Sequence, residues 1–134
     1  MRLLLDAHFI LWLTTDRAKL SQSERAVLDE ENTELIVPAA GLWELTIKWN
    51  VLGRKGERRL NARPEDVYAA VTMAGWDIAS LDGRTATTEL QIPIAHKDPF
   101  DRLLLVQAQQ LGIQLLTRDQ KLIGHPLVFS LDAP

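Results

Sequence analysis

Four short runs of the sequence are apolar without strict alternation: RLLL (2–5), ELIVP (34–38), WDIASL (76–81) and IQLLT (113–117). A strand with one wet face alternates apolar and polar residues, whereas a continuous apolar run needs cover on both faces. The segments between the runs carry helix signals. SQSERAVLDEE opens with Ser21 and Glu24 at capping-box spacing, predicting a helix from Ser21 to Glu31. AAGLWELTIKW (39–49) reads as an apolar helix, followed by a loop around Gly53 and Gly56. RPEDVYAAVTMAG (63–75) has Pro64 near its start and Gly75 past its end, as a helix should. DGRTATTEL reads as a short helix, and a longer one runs from Asp98 to Gly112. LVFSL (127–131) is a candidate fifth strand. Strands alternating with helices predict an α/β fold: a central parallel sheet of four to five strands, flanked by helices on both faces. No repeat or linker divides the chain, so residues 1–134 are expected to form one domain, long enough for a real core.

No apolar run approaches the roughly 20 residues of a membrane span, and the start of the chain lacks a signal-peptide pattern. The absence of cysteine excludes disulfides and thiolate metal sites. Both features fit a cytoplasmic protein without a membrane partner. The net charge of −3 does not suggest a nucleic-acid binder, but its distribution is uneven. Residues 48–63 hold Lys48, Arg54, Lys55, Arg58, Arg59 and Arg63 against Glu57 alone, a local charge of +5 on a body of −8. Such a segment is either a solvated loop or a surface for a phosphate backbone.

The helix opening AHKDPFDRLLLVQAQQLG (95–112) poses a sharper question. Asp98 before Pro99 fits an N-cap, and Asp101 three residues on fits the first turn. At about 100° per residue, however, Asp101 lies on the side of Leu104, Leu105 and Ala108. A carboxylate on the packing face must be paired or bound to something.

Three further acids converge on it. In open parallel sheets, ligands bind beyond the carboxyl ends of the strands. Asp6 follows RLLL directly and Asp119 follows IQLLT by two residues. The start of the Asp98–Gly112 helix faces the same rim, which brings Asp101 there too. Glu44 shares a helical stripe with Ala40 and Ile47, read as facing inward. Four carboxylates so close must take up protons or bind a cation. An all-oxygen set selects a hard ion such as Mg²⁺ or Mn²⁺, which commonly also binds substrate phosphates. Such sites activate water for in-line attack on a phosphodiester. The basic segment would then hold the polyanion.

LLLDAHFILWL, LWELTIKW, HKDPFDRLLLVQAQ and LLTRDQKL, in that order, resemble the successive motifs of PIN-domain nucleases, in particular VapC-type toxins of toxin–antitoxin pairs. The resemblance spans residues 1 to about 130. It implies a Mg²⁺- or Mn²⁺-dependent endoribonuclease that cuts structured RNA such as tRNA. It also implies a homodimer, and a cognate antitoxin whose flexible tail covers the active site. Carried onto this chain, it makes Asp6 and Asp101 the main metal ligands. Glu44 would support the metal or the attacking water, and Asp119 would complete the pocket. Lys48, Arg54, Lys55, Arg58 and Arg59 become candidate RNA contacts.

Neighbouring positions keep two readings. Asp98 is a cap alone or also bonds to the ligands, and Thr117 ends a strand or bonds to the metal-bound water. Arg102 pairs with a carboxylate or touches phosphate. His8 and His96 are surface or packing residues rather than catalytic bases. Trp12, Trp43, Trp49 and Trp76 are read as core or dimer-interface residues. A haloacid-dehalogenase-type enzyme would need a second acid two residues after Asp6, where His8 stands. A response-regulator receiver would need paired acids after the first strand, and no glycine-rich phosphate loop supports an NTPase. The alternative from another class is a non-catalytic, acidic α/β module that binds a partner protein.

Overall fold

The computed structural model describes residues 1–95 and 97–131. Strand β1 (Arg2–Leu5) leads through Asp6 into helix α1 (Ala7–Thr15), a 3-10 turn (Arg17–Lys19) and α2 (Gln22–Leu28). Strand β2 (Glu34–Pro38) runs without a loop into α3 (Ala39–Asn50). Then come α4 (Pro64–Ala74), β3 (Asp77–Ala79), α5 (Gly83–Thr87), α6 (Pro99–Leu111) and β4 (Gln114–Leu116). The strands form one sheet in the order β3-β2-β1-β4, and every pairing is parallel.

Both faces of the sheet are covered, as its apolar strands require. On one side Leu5 of β1, Leu35 and Val37 of β2, and Leu116 of β4 pack with Phe9, Ile10 and Leu13 of α1 and with Val67 and Val71 of α4. On the other, Leu4, Ile36 and Leu115 pack with Leu104, Leu105 and Ala108 of α6. Adjacent strand residues thus serve opposite cores, the period of two that a pleated strand imposes. Helix α3 contributes Leu45 to the first core and Ala40 to the second. Gly41 lets it come close to α1, since a Cβ there would meet Ile10 Cδ1 at 2.9 Å. Gly112 ends α6 with φ of 67°, a left-handed cap that glycine adopts at least cost.

The fold departs from expectation at three places. Residues 7–15, given no element from the sequence, form α1. Asp6 is its N-cap as well as the residue after the strand. The expected helix from Ser21 to Glu31 stops at Leu28; its capping box forms, and the Asp29 side chain turns to Arg17 at 2.6 Å. The candidate strand at 127–131 reduces to a single parallel bridge between Val128 and Leu115. Its bonds are those of that one bridge, from the Leu115 N–H to the Leu127 carbonyl at 2.7 Å and from the Phe129 N–H to the Leu115 carbonyl at 2.9 Å, while the Val128 N–H is taken by the His125 carbonyl at 2.9 Å.

Candidate active site

A cavity of about 510 Å³ opens at the carboxyl end of the sheet, and Asp6, Glu44, Asp101 and Asp119 all line it. Each acid arrives by a different route. Asp6 joins β1 to α1 and is 9% exposed. Its Oδ1 accepts the Phe9 N–H at 3.0 Å and its Oδ2 accepts the Thr117 hydroxyl at 2.7 Å. Burial pushes its carboxyl above the usual range, with Glu44 adding to the push, while the bonds from Thr117 and Phe9 and the charge of His8 oppose it. Asp119 lies beyond β4 and is held by its own turn. Its N–H donates to Thr117 Oγ1 at 3.1 Å, and its Oδ1 accepts the Lys121 N–H at 2.9 Å.

Asp101 stands in the first turn of α6, half-buried, and shares the lining of the cavity with Asp119 and Glu44. Burial first, then the nearby charge of Asp98, the bond to Asp119 and the charges of Asp119 and Glu44 raise its pKa to about 7. Carboxylates gathered in one cavity do not all ionise cheaply, which favours a shared proton or a cation among them. Asp98 caps α6, its Oδ1 accepting from the N–H groups of Phe100 at 2.9 Å and Asp101 at 3.3 Å, and it also lines the cavity.

Glu44, on α3, keeps 16% of its side chain exposed and pairs with Lys48 one turn on, at 2.8 Å. The stripe read as inward is divided: Ala40 is buried, but Ile47 is 37% exposed and lines the cavity mouth. Glu44 therefore faces the cavity rather than the core. Arg118 was not anticipated. It also lines the cavity, while its Nε donates to buried Glu24 at 2.6 Å and its guanidinium lies 4.3 Å from the centre of the Trp12 ring. The residue between Thr117 and Asp119 thus ties the rim to α2.

Other expectations fare differently. Arg102 lines a separate hollow with Lys97 and Pro99, and among the described residues it forms no ion pair with a carboxylate. It is exposed and is not part of the lining of the carboxylate cavity. His8 stacks on Trp12 with ring centres 5.5 Å apart. His96 lies outside the described residues. Trp12 and Trp76 pack against the first core, but Trp43 is 57% exposed, because its place on α3 looks away from both cores. Trp49 carries two arginines, with the guanidinium carbons of Arg58 and Arg63 at 4.4 and 5.5 Å from the ring centre. Arg54, Lys55 and Arg59 are exposed.

The donor chemistry of the cavity suits a hard divalent cation: oxygen ligands only, with the Asp6 and Asp101 carboxyls both held above their ordinary range, first by burial and then by other carboxylates nearby. Among the described residues, no three such side chains already stand at the spacing of a ligand set. The fit is therefore one of charge and donor type.

Two comparisons bear on the chain. The family described as PIN domain matches residues 3–125. A crystal structure of VapBC2 from Rickettsia felis, bound to a DNA fragment from their promoter, contains a chain of like fold: TM-score 0.59, 15% identity and 96% of each chain covered. No curated protein matches.

Proposed function

The chain belongs to the PIN-domain family, and on that premise we propose that it is a Mg²⁺- or Mn²⁺-dependent endoribonuclease, the VapC-type toxin of a type II toxin–antitoxin pair. PIN domains are generally nucleases. The observation that carries the reading is the meeting of Asp6, Glu44, Asp101 and Asp119, brought by separate elements, in the lining of one cavity. Such a cluster is costly unless something positive enters it. Asp6 and Asp101 would be the main ligands, with Glu44 and Asp119 completing the set. A divalent ion there supplies a water of lowered pKa and neutralises charge on the phosphodiester.

The protein's own residues do the rest. Thr117 fixes the Asp6 carboxylate by its hydroxyl, so one carboxylate oxygen keeps its aim. Lys48 holds Glu44 against the wall of α3 and balances its charge until substrate arrives. Asp98 keeps the first turn of α6 in place, and with it Asp101. The basic segment, with Lys48, Arg54, Lys55, Arg58 and Arg59, draws the RNA backbone towards the cavity. The motif resemblance implies an antitoxin partner, a homodimer and a cytoplasmic setting, and the fold shared with the VapBC2 chain supports the first of these. Among the described residues, no helix is long and apolar enough to cross a membrane.

The test is RNA cleavage by the purified chain in Mn²⁺ or Mg²⁺. Cleavage is expected to stop in EDTA and in Glu44→Gln, while the circular dichroism of that variant stays native. Cleavage that persists in EDTA would refute the mechanism.

A further inference from the structure

The basic segment is not a uniform patch. Arg58 and Arg63 both lie over the ring of Trp49, at 4.4 and 5.5 Å from its centre, and Arg58 also donates from Nη1 to the Trp49 carbonyl oxygen. The loop between them is built. Leu52 and Arg58 form an antiparallel bridge, the Gly53 N–H donates to the Glu57 carbonyl at 2.8 Å, and the Glu57 carboxylate accepts the Lys55 N–H at 2.9 Å. The one acid of the segment is thus engaged within the turn. Among the described residues, neither Arg58 nor Arg63 has a carboxylate partner.

Two like charges near one ring repel, and the attraction of the indole for each offsets that repulsion. Each guanidinium has five N–H donors; Arg58 spends one on the Trp49 carbonyl, and the rest of both exposed forks stays open to a ligand. A pre-oriented pair of forks without a carboxylate is suited to an anion with several oxygens. Its place is also informative. Trp49 follows Lys48, which lines the carboxylate cavity, and it stands about 7.5 Å along the α3 axis and about 140° round it from Glu44, beside the cavity lining rather than in it.

We propose that Arg58 and Arg63, oriented by Trp49, form the seat for a phosphodiester of the RNA strand whose neighbouring segment enters the carboxylate cavity. This rests on the nuclease reading above. Arg54, Lys55 and Arg59, exposed and without a ring contact, add only diffuse attraction. Guanidinium geometry, rather than charge count, is what the seat uses.

The experiment is fluorescence anisotropy of a labelled RNA hairpin with the full-length chain in EDTA, so that no cleavage intervenes, over a series of KCl concentrations. Arg58→Ala with Arg63→Ala is expected to weaken binding about tenfold or more at 0.1 M salt and to lower the log–log salt slope by roughly 1.5. Arg54→Ala with Arg59→Ala, which removes the same charge, should cost less than threefold. Arg58→Lys with Arg63→Lys keeps the charge and should still weaken binding several-fold. Trp49→Phe should retain most of the affinity that Trp49→Leu loses. Equal losses from the two alanine pairs, full binding by the lysine pair, or no binding by the unmodified chain would overturn the proposal. Inorganic phosphate at millimolar concentration should compete weakly. Full displacement by it would show a free-phosphate site instead and also overturn the proposal. Loss of the seat with cleavage intact, or binding intact without cleavage in Mn²⁺, separates this inference from the nuclease reading.

Discussion

The hydroxyl of Thr117 donates to Asp6 Oδ2 at 2.7 Å, joining the ends of β4 and β1 across 111 positions of sequence. Both groups are buried, Asp6 at 9% and Thr117 at 4% exposure. The same oxygen of Thr117 accepts the Asp119 N–H at 3.1 Å, so one side chain orders two of the four acids.

Replacing Thr117 with Val should therefore cost about 1–3 kcal/mol, the usual penalty for orphaning a buried polar partner. Thr117→Ser should lose far less. Urea unfolding at pH 7 measures both. Equal stability of the two variants would mean that the bond to Asp6 contributes nothing.

Glu24 gives a pH prediction. The Arg118 guanidinium holds its carboxyl below the usual range, against a smaller opposing effect of burial. A depressed acid makes the unfolded chain bind more protons, so its contribution is complete above the ordinary glutamate value of 4.5 and fades as pH falls below it. Arg118 is 43% exposed, which screens the pair. Glu24→Gln is expected to cost about 1–2 kcal/mol at pH 7 and little at pH 3. Melting curves at the two values decide it, and a pH-independent difference would contradict the ion-pair account.

Asp98 separates cap from charge. Asparagine caps helices as well as aspartate does, whereas alanine does not. Asp98→Ala should lose about 1 kcal/mol by chemical denaturation, with Asp98→Asn close to the parent. The asparagine variant should also let Asp101 ionise at lower pH, since the Asp98 charge is the second cause of its raised pKa. An unmoved Asp101 titration, followed by carboxyl carbon NMR, would assign Asp98 to the helix alone.

The parallel sheet was legible because the strands are apolar on both faces, and the boundaries of β1 and β2 follow directly from their runs. Helix α1 was not legible for the same reason. Ala7, Phe9, Ile10, Leu11 and Leu13 are all buried, and of the first seven residues of the helix only His8 is polar, too little to mark a period of 3.6. Asp101 stood out because a charge on an apolar stripe conflicts with its surroundings. The Glu44–Lys48 pair was available from its spacing of four, yet Lys48 was counted with the loop. Arg118 carried no local signal, since its partner Glu24 is 94 positions away. The division of the basic segment was equally hidden, because Trp49 looks like any core residue until its neighbours fold over it.

The central claim is that the four carboxylates form a site for a divalent cation. A raised aspartate destabilises the fold increasingly as pH climbs from 3.8 through about 7, so metal-free Asp101→Asn should melt higher than the parent at pH 8. The most direct measurement is a thermal-shift titration with Mn²⁺ at that pH. The account predicts a rise of about 5 °C or more near saturation in the parent chain and none in Asp101→Asn. A melting temperature indifferent to millimolar Mn²⁺, or a rise that survives in Asp101→Asn, would contradict it.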